Sequence, residues 1–272
     1  MGQSSANKLT LSGRLCLALN RVFKKHERRG RSSPESYSLA EYENAGGQMK
    51  IFNGTVDLRG KRVLDAGCGL GGKTVYYAEL GAAAAVGIDL DSNHTRYARQ
   101  FACRRNHSEI LFINGLLSKL PFQDDAFEVI ALNDVLEHIA RDELDEALSE
   151  LKRVMKPAGR IFLEFPPWTS LDASHLYDYI YTPWCHLLFS DETLLSVVRA
   201  IGDRGRHGKL SEIEHYQALN RITIGEFKDM LRRFGFKTVL FKYMMFKNKD
   251  ILRLIPLVNK YLVRRVIAVL SK

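Results

Sequence analysis

The sequence predicts an α/β fold, a largely parallel sheet with helices on both faces. Two observations carry this. Short apolar runs alternate with amphipathic stretches along most of the chain, with brief connections, as strands joined by crossover helices do. One stretch, Lys61 to Asp89, also reads as strand, glycine turn, helix and strand: KRVLDAGCGLGG, KTVYYAELGAA, AAVGIDLD. Glycines packed this densely after a strand let the backbone approach a ligand closely. A carboxylate closing the next strand, Asp89, stands where a ribose diol would be held. The stretch therefore reads as a site for a nucleoside-bearing cofactor.

In chain order, residues 1–10 read as disordered. Leu11, Leu15, Leu19, Val22 and Phe23 then recur at helical spacing, with Arg14, Arg21, Lys24 and Lys25 mostly elsewhere. This is a helix capping the domain or a basic helix lying on a membrane surface. HERRGRSSPES (26–36) is a charged linker. A second helix, roughly 37–52, turns Tyr37, Leu39, Tyr42 and Met49 inward. Residues 1–52 are thus expected as a basic N-terminal region with cap helices, and 53–272 as the main domain.

After the glycine loop come a helix (72–80), a strand (84–89) and a basic helix (92–105) with Tyr97 and Phe101 inward. EILFIN (109–114) and FEVIALN (127–133) are strands 3 and 4. DELDEALSELKRVM is an amphipathic helix ending at Pro157, and RIFLEF (160–165) is strand 5. The helix ITIGEFKDMLRRF stops at Gly235, and FKTVLFKYM is strand 6. Residues 166–221 form an insertion holding Trp168, Trp184, Tyr177, Tyr179 and Tyr181, with His175 and His186. Placed after a strand's carboxyl end, it is expected to cover the crevice where substrates bind, with part of its aromatic content forming its own core.

The net charge of +9 is uneven. Residues 1–31 hold eight Lys/Arg against Glu27, and residues 226–272 hold twelve against three acids, so the middle is acidic. A nucleic-acid enzyme would carry its basic stripe beside the site. Here the centre is acidic, which argues against nucleic acid and for an anionic surface at the periphery, or for solvation alone. Four scattered cysteines (Cys16, Cys68, Cys103, Cys185) suggest neither a disulfide framework nor a zinc knuckle. No apolar run reaches the ~18 residues of a membrane span. The run LTLSGRLCLALN is a poor signal peptide, and Ala6 stands where a myristoylation pattern wants Ser or Thr. A cytoplasmic location, with possible peripheral membrane contact through the N-terminal helix, is the expectation.

Three motifs fit the glycine loop. Gly67-x-Gly69-x-x-Gly72 with Asp89 matches a dinucleotide fingerprint, and Gly67-x4-Gly72-Lys73-Thr74 matches a Walker A loop. VLDAGCGLGG also closely resembles the loop of class I S-adenosylmethionine methyltransferases. Asp65 separates them, because a carboxylate in the mouth opposes a phosphate and suits a ligand with an amino group and a sulfonium. VIALND (129–134) partly supplies the acidic strand end that a P-loop protein needs, which keeps that alternative open.

Further along, GIDLD, LPFQDDAFEVIALNDVLEHI, LKRVMKPAGRIFLEFP and FKDMLRRFGF follow in order. Together these segments resemble the small-molecule class I methyltransferases grouped as type 11, over about residues 60–245. The resemblance implies a Rossmann-like seven-stranded sheet, its last strand antiparallel between strands 5 and 6. VIAVL (266–270) is the segment left to supply that strand, preceded by a helix carrying Ile251, Leu254, Ile255 and Val258. It also implies methyl transfer from S-adenosylmethionine to a small-molecule, lipid or sugar acceptor, most simply at oxygen. Asp65, Gly67, Cys68, Gly69 and Gly71 would take the methionine end, Asp89 and Leu90 the ribose side, Leu116 and Leu117 the adenine, and the backbone of Asn133 the amino group. The family often has an acidic residue where Leu116 stands, and Asn133 replaces a strand-4 acid. Asp134, Glu137 and His138 would share one face if a helix has begun there, and the stretch resembles ubiquinone-biosynthesis O-methyltransferases that bind a divalent ion. The plainer reading is that Glu137 and His138 hydrogen-bond the substrate-side loop, and no metal is assigned. A catalytic base is expected among His138, His175 and His186, which border the crevice, with the other histidines set aside. A protein that binds the cofactor without catalysing is the remaining alternative.

Overall fold

The computed structural model describes residues 9–23, 33–52, 54–202, 212–246 and 256–272. The expected disordered tail, most of the linker, and Ile251, Leu254 and Ile255 lie outside the described residues. The chain forms two compact units, one containing the sheet and one mostly helical.

The sheet unit comprises 29–165, 225–242 and 266–272. Its strands are β1 (Arg62–Ala66), β2 (Ala84–Asp89), β3 (Leu111–Asn114), β4 (Phe127–Asn133), β5 (Met155–Phe165), β6 (Lys237–Met245) and β7 (Val263–Ser271). Their order is β3-β2-β1-β4-β5-β7-β6. The pairs β3–β2, β2–β1, β1–β4 and β4–β5 are parallel, whereas β7 runs antiparallel to β5, with Phe162 opposite Val269. The expected fold, including the antiparallel last strand from the β-branched C-terminal segment, is present. Every residue of β4 but Glu128 is buried, as a central strand covered on both faces requires. At the sheet's edge, β6 is mostly exposed.

Two boundaries differ from expectation for a physical reason. The helix over Leu144–Val154 buries Leu144, Ala147, Leu148, Leu151 and Val154 on one face and stops before Pro157. Met155 already begins β5, and Pro157 lies inside that strand beyond a shift of register between Phe127 and Val129. A proline without an amide donor is accommodated where the ladder is irregular.

Helices α1 (Leu11–Val22) and α2 (Pro34–Ile51) fall into different units, α1 with the helical one and α2 with the sheet. The inward face of α2 also differs from expectation. Leu39 is exposed, while the small residues Ser38 and Ala45 are buried. They allow α2 to lie directly on the glycine loop, where Ser38 Oγ donates to the Leu70 carbonyl (2.9 Å). A Cβ on Gly72 would overlap the Ser38 carbonyl oxygen, so Gly72 serves helix packing rather than a ligand. Tyr42 is partly buried and packs against the cluster of Cys68, Val75, Phe101 and Phe112 as expected, with the Arg105 guanidinium over its ring at 3.8 Å.

The helical unit comprises the described parts of 1–28, 166–224 and 243–265. Its core joins Cys16 of α1 to Leu176, Ile180, Cys185, Leu194, Val198 and Tyr216, with Trp168 and Tyr179 packed against it. Much of the insertion's aromatic content is thus the unit's own core. Asn20 fastens α1 to it, donating from Nδ2 to the Tyr179 carbonyl (2.7 Å) and accepting from the Tyr181 amide.

Candidate functional site

The site is built where β1, β2 and β4 end. Helix α3 (Gly72–Glu79) follows β1 with Gly71 as its N-cap, and α4 (Ser92–Arg104) follows β2. The loop between β1 and α3 folds back on the sheet. The amides of Gly67 and Cys68 donate to the Ile88 carbonyl (2.8 and 2.9 Å), and that of Gly71 to the Cys68 carbonyl (3.0 Å). The Gly69 amide donates to Asp89 Oδ2 (2.9 Å). Gly67 has φ 76°, and a side chain there would overlap the Val135 methyls, so both backbone shape and space demand glycine.

This arrangement is no phosphate nest. A triphosphate would be gripped by loop amides pointing outward, and four of these amides already donate into the protein. Thr74, which a Walker loop would turn to a magnesium ion, donates to Asp65 Oδ2 at 2.6 Å. Lys73 reaches Asp134, with Nζ to Oδ2 at 3.9 Å. Burial works against its charge, but Asp134, Glu41, Glu164 and Asp65 together hold its pKa above the usual lysine range.

The mouth is instead lined with carboxylates. Asp65 is buried at the end of β1; desolvation pushes its pKa up to about 6, partly opposed by Thr74 and Lys73. Asp89 is desolvated too, yet His94 and the amides of Asp91 and Gly69 hold it below the usual carboxylate range. Cys68 is buried beside Asp65 and Asp89, and burial pushes its thiol up. Asn133, at the end of β4, donates from Nδ2 to the Tyr77 hydroxyl (3.1 Å), leaving Oδ1 a buried acceptor without a hydrogen-bond partner. Leu90 and Leu116 are exposed and Leu117 half-buried, apolar surface near the ends of β2 and β3.

Sequence reasoning set His94 aside as lying away from the crevice, whereas the structure puts it against Asp89. Its Nδ1 lies 3.1 Å from Asp89 Oδ1. The cause is local. Asp91 caps α4, accepting from the Asn93 amide (2.7 Å), and the resulting turn brings the first-turn imidazole back over the strand end. Burial opposes the imidazolium, but Asp89, with Asp91 and Glu41, holds its pKa above the ordinary value. A histidine cation in the first turn of a helix runs against the macrodipole, so periodicity and propensity gave no hint of the pair. Glu41 and Lys73 were likewise overlooked as parts of the mouth.

The expected helix after β4 is a single 3-10 turn, Leu136–His138. Asp134 is left-handed (φ 56°) and faces Lys73, so helical spacing does not place it with Glu137 and His138. Glu137 is buried, with Oε1 3.8 Å from His138 Nε2. In the helical unit, His175 is also left-handed, its ring 6.0 Å from those of Tyr177 and His215. His186 is buried against Trp168, ring centroids 4.4 Å apart, with Nε2 2.7 Å from the Trp168 carbonyl oxygen. Burial drives its pKa down to about 4, so it stays neutral near pH 7 as part of that core.

Residues 64–163 match the family model described as a methyltransferase domain, which spans the glycine loop through β5. These residues carry a methyltransferase domain, and the strand order with its antiparallel last strand is the class I S-adenosylmethionine-dependent methyltransferase fold. Its cofactor is S-adenosylmethionine. The acid-lined mouth, the amides turned inward and the buried Asn133 acceptor fit a cationic, phosphate-free ligand. The chain is 29% identical over 203 residues to a fatty-acid O-methyltransferase from Mycolicibacterium smegmatis, covering 73% of this chain and 66% of that relative's length, so it spans less than two thirds of that relative. Among solved structures, it resembles magnesium protoporphyrin IX methyltransferase from Synechocystis with bound SAH (TM-score 0.53, 15% identity, 96% of this chain and 95% of that one). It also resembles the [4+2]-cyclase SpnF (TM-score 0.56, 19% identity, 100% and 97%). These two likenesses concern the fold. Among the described residues, no helix is long and apolar enough to cross a membrane.

Proposed function

We propose that the protein transfers the methyl group of S-adenosylmethionine to an oxygen of a lipid-like small molecule. The observation that carries this is the mouth itself, where Asp65, Asp89 and the inward-turned loop suit a sulfonium ligand. Similarity to a fatty-acid O-methyltransferase supports a lipid-like acceptor. S-adenosylmethionine, when bound, supplies an electrophilic methyl carbon on its sulfonium. Asp89, held by His94 and Gly69, would take the ribose hydroxyls. Asp65 and Asn133 Oδ1 would accept from the ammonium. Leu90, Leu116 and Leu117 would lie against the adenine.

In this reading His138 removes the acceptor's proton, with Glu137 orienting its ring, and His186 serves the packing of the helical unit. His175 stays a candidate for contact with the acceptor, and residues 166–221 carry acceptor selectivity. The test is release of S-adenosylhomocysteine with fatty acids, hydroxylated lipids and sugars as acceptors. Turnover with a sugar but no lipid would sink the lipid assignment. Because a [4+2]-cyclase shares this fold, the fold does not fix the reaction, and the second reading is a protein that binds the cofactor without transferring its methyl. Tight binding with no turnover on any acceptor would select it.

Cofactor affinity should depend on pH. The buried Asp65 carboxyl titrates near pH 6, and a cationic ligand favours its ionised form. Below that pH the ligand must displace a proton. Affinity should therefore rise by up to about tenfold between roughly pH 5 and pH 7, as one linked proton with its midpoint near the centre of that window gives. Calorimetry at the two pH values, in buffers of different ionisation enthalpy, reads both the affinity and the released proton. A flat profile would remove Asp65 from the cofactor's charged end.

A further inference from the structure

Helix α1 presents two faces of opposite character. Gly13, Cys16 and Asn20 are buried and docked in the helical unit. On the other side, Leu11 is 84% exposed, Leu15 55% and Val22 74%. Positions 11, 15, 18 and 22 fall on one stripe of an α-helix, with Ala18 also exposed. The exposed Arg14 and Arg21 lie along one flank of that stripe, and the helix carries no acidic residue. The apolar periodicity in the sequence is therefore real, but it points away from the core. A cap helix would bury this stripe; Asn20 and Cys16 occupy the buried face instead.

A second exposed apolar feature lies in the same unit. The short helix Cys185–Leu188 exposes Leu187 and Leu188. It runs into Ser190, the N-cap of the helix Asp191–Ile201, which packs against α1. Thr193 of that helix donates to Ser12 Oγ on α1 (3.4 Å).

We propose that this face of α1 docks on an anionic lipid bilayer, with Leu11, Leu15 and Val22 entering the headgroup boundary and Arg14 and Arg21 at the phosphate level. Charge selects this occupant. Residues 1–31 carry eight Lys/Arg against Glu27, which an anionic surface attracts. A second copy of the chain would bring the same cations against them. A nucleic acid would leave the leucines uncovered. An interfacial helix needs both an apolar stripe and flanking cations, and α1 has both while anchored to the fold from behind. The proposal goes beyond the methyl-transfer reading and does not depend on it.

The test is cosedimentation of the full chain with phosphatidylcholine vesicles carrying about 30% phosphatidylglycerol, at roughly 50 mM and roughly 500 mM salt. Binding is expected at low salt, and at least about tenfold weaker with phosphatidylcholine alone or at high salt. The double variant Leu11→Glu/Val22→Glu should lose at least about tenfold in partitioning while keeping its S-adenosylmethionine affinity, which shows that it folds. Val239→Glu, at a half-exposed residue of β6, should bind vesicles as the parent does. No sedimentation at low salt would overturn the proposal, as would full retention by the double variant. So would light scattering that finds a dimer which the double variant dissolves, since a second copy would then cover the stripe.

Discussion

Asp89→Ala is expected to weaken S-adenosylmethionine at least tenfold, about 1.4 kcal/mol. The carboxylate sits where three protein donors converge, the amides of Gly69 and Asp91 and the His94 imidazole. They fix its plane, so a ribose diol meets an acceptor that needs no reordering, and a hydrogen bond to an ionised carboxylate is among the stronger kinds. The substitution also strips His94 of its main partner. The imidazole's pKa, now above the ordinary value, should fall, and an NMR titration of His94 reads this without any cofactor present. The linkage has a definite sign. Because the folded pKa is raised, the pair's stabilisation is full below about pH 6.5 and is lost as pH rises through the folded value. Asp89→Asn, which keeps the shape and drops the charge, should lie between parent and alanine in cofactor affinity. Unchanged calorimetric affinity in Asp89→Ala would mean the ribose is held elsewhere.

The parts of this fold legible in the sequence are those whose physics is local. The run Val63–Leu64, the dense glycines and Asp89 lie within one strand-turn-helix-strand unit, and each residue's type follows from its place there. The antiparallel β7 was legible because β-branched residues had one remaining slot in a recognised topology. What failed were cases where one letter serves several purposes. Gly72 reads as a ligand glycine, yet α2 rests on it through Ser38. Leu11, Leu15 and Val22 fitted either a capping helix or a surface helix, because the docked face of α1 uses a glycine, a cysteine and an asparagine, which hydrophobic periodicity does not register. Lys73 and Thr74 completed a Walker pattern letter for letter, and only the inward hydrogen bonds of the loop showed that pattern to be unused. His94 was hidden by a turn: five residues from Asp89 is far in an extended chain and near across a capped helix start.

His138→Ala is expected to lower kcat by about 10², roughly 2.7 kcal/mol of barrier, while leaving cofactor affinity within a few-fold. The reasoning starts from the acceptor. A hydroxyl attacking a sulfonium methyl gains nucleophilicity as its proton leaves, and an imidazole with an ordinary pKa near 6.5 suits that task at neutral pH. The three candidate histidines differ in what their surroundings permit. His186, pressed against Trp168 with a pKa near 4, is too weak a base, and its replacement should act on the stability of the helical unit. His138 sits just past the end of β4 in the 3-10 turn, partly exposed, with Oε1 of the buried Glu137 3.8 Å from its Nε2, and in the proposed reading Glu137 positions that ring. A base oriented by a carboxylate is a recurring catalytic arrangement. The decisive readout is the acid limb of the kcat profile. The parent should lose turnover as the base is protonated, whereas His138→Ala should show a low, nearly pH-independent rate, partly restored by added imidazole. Glu137→Gln should move the limb without abolishing it, as befits a positioning residue. If His138→Ala keeps both parental turnover and the acid limb, the proton leaves by another route, and alignment of acceptor and methyl carbon must carry the rate instead.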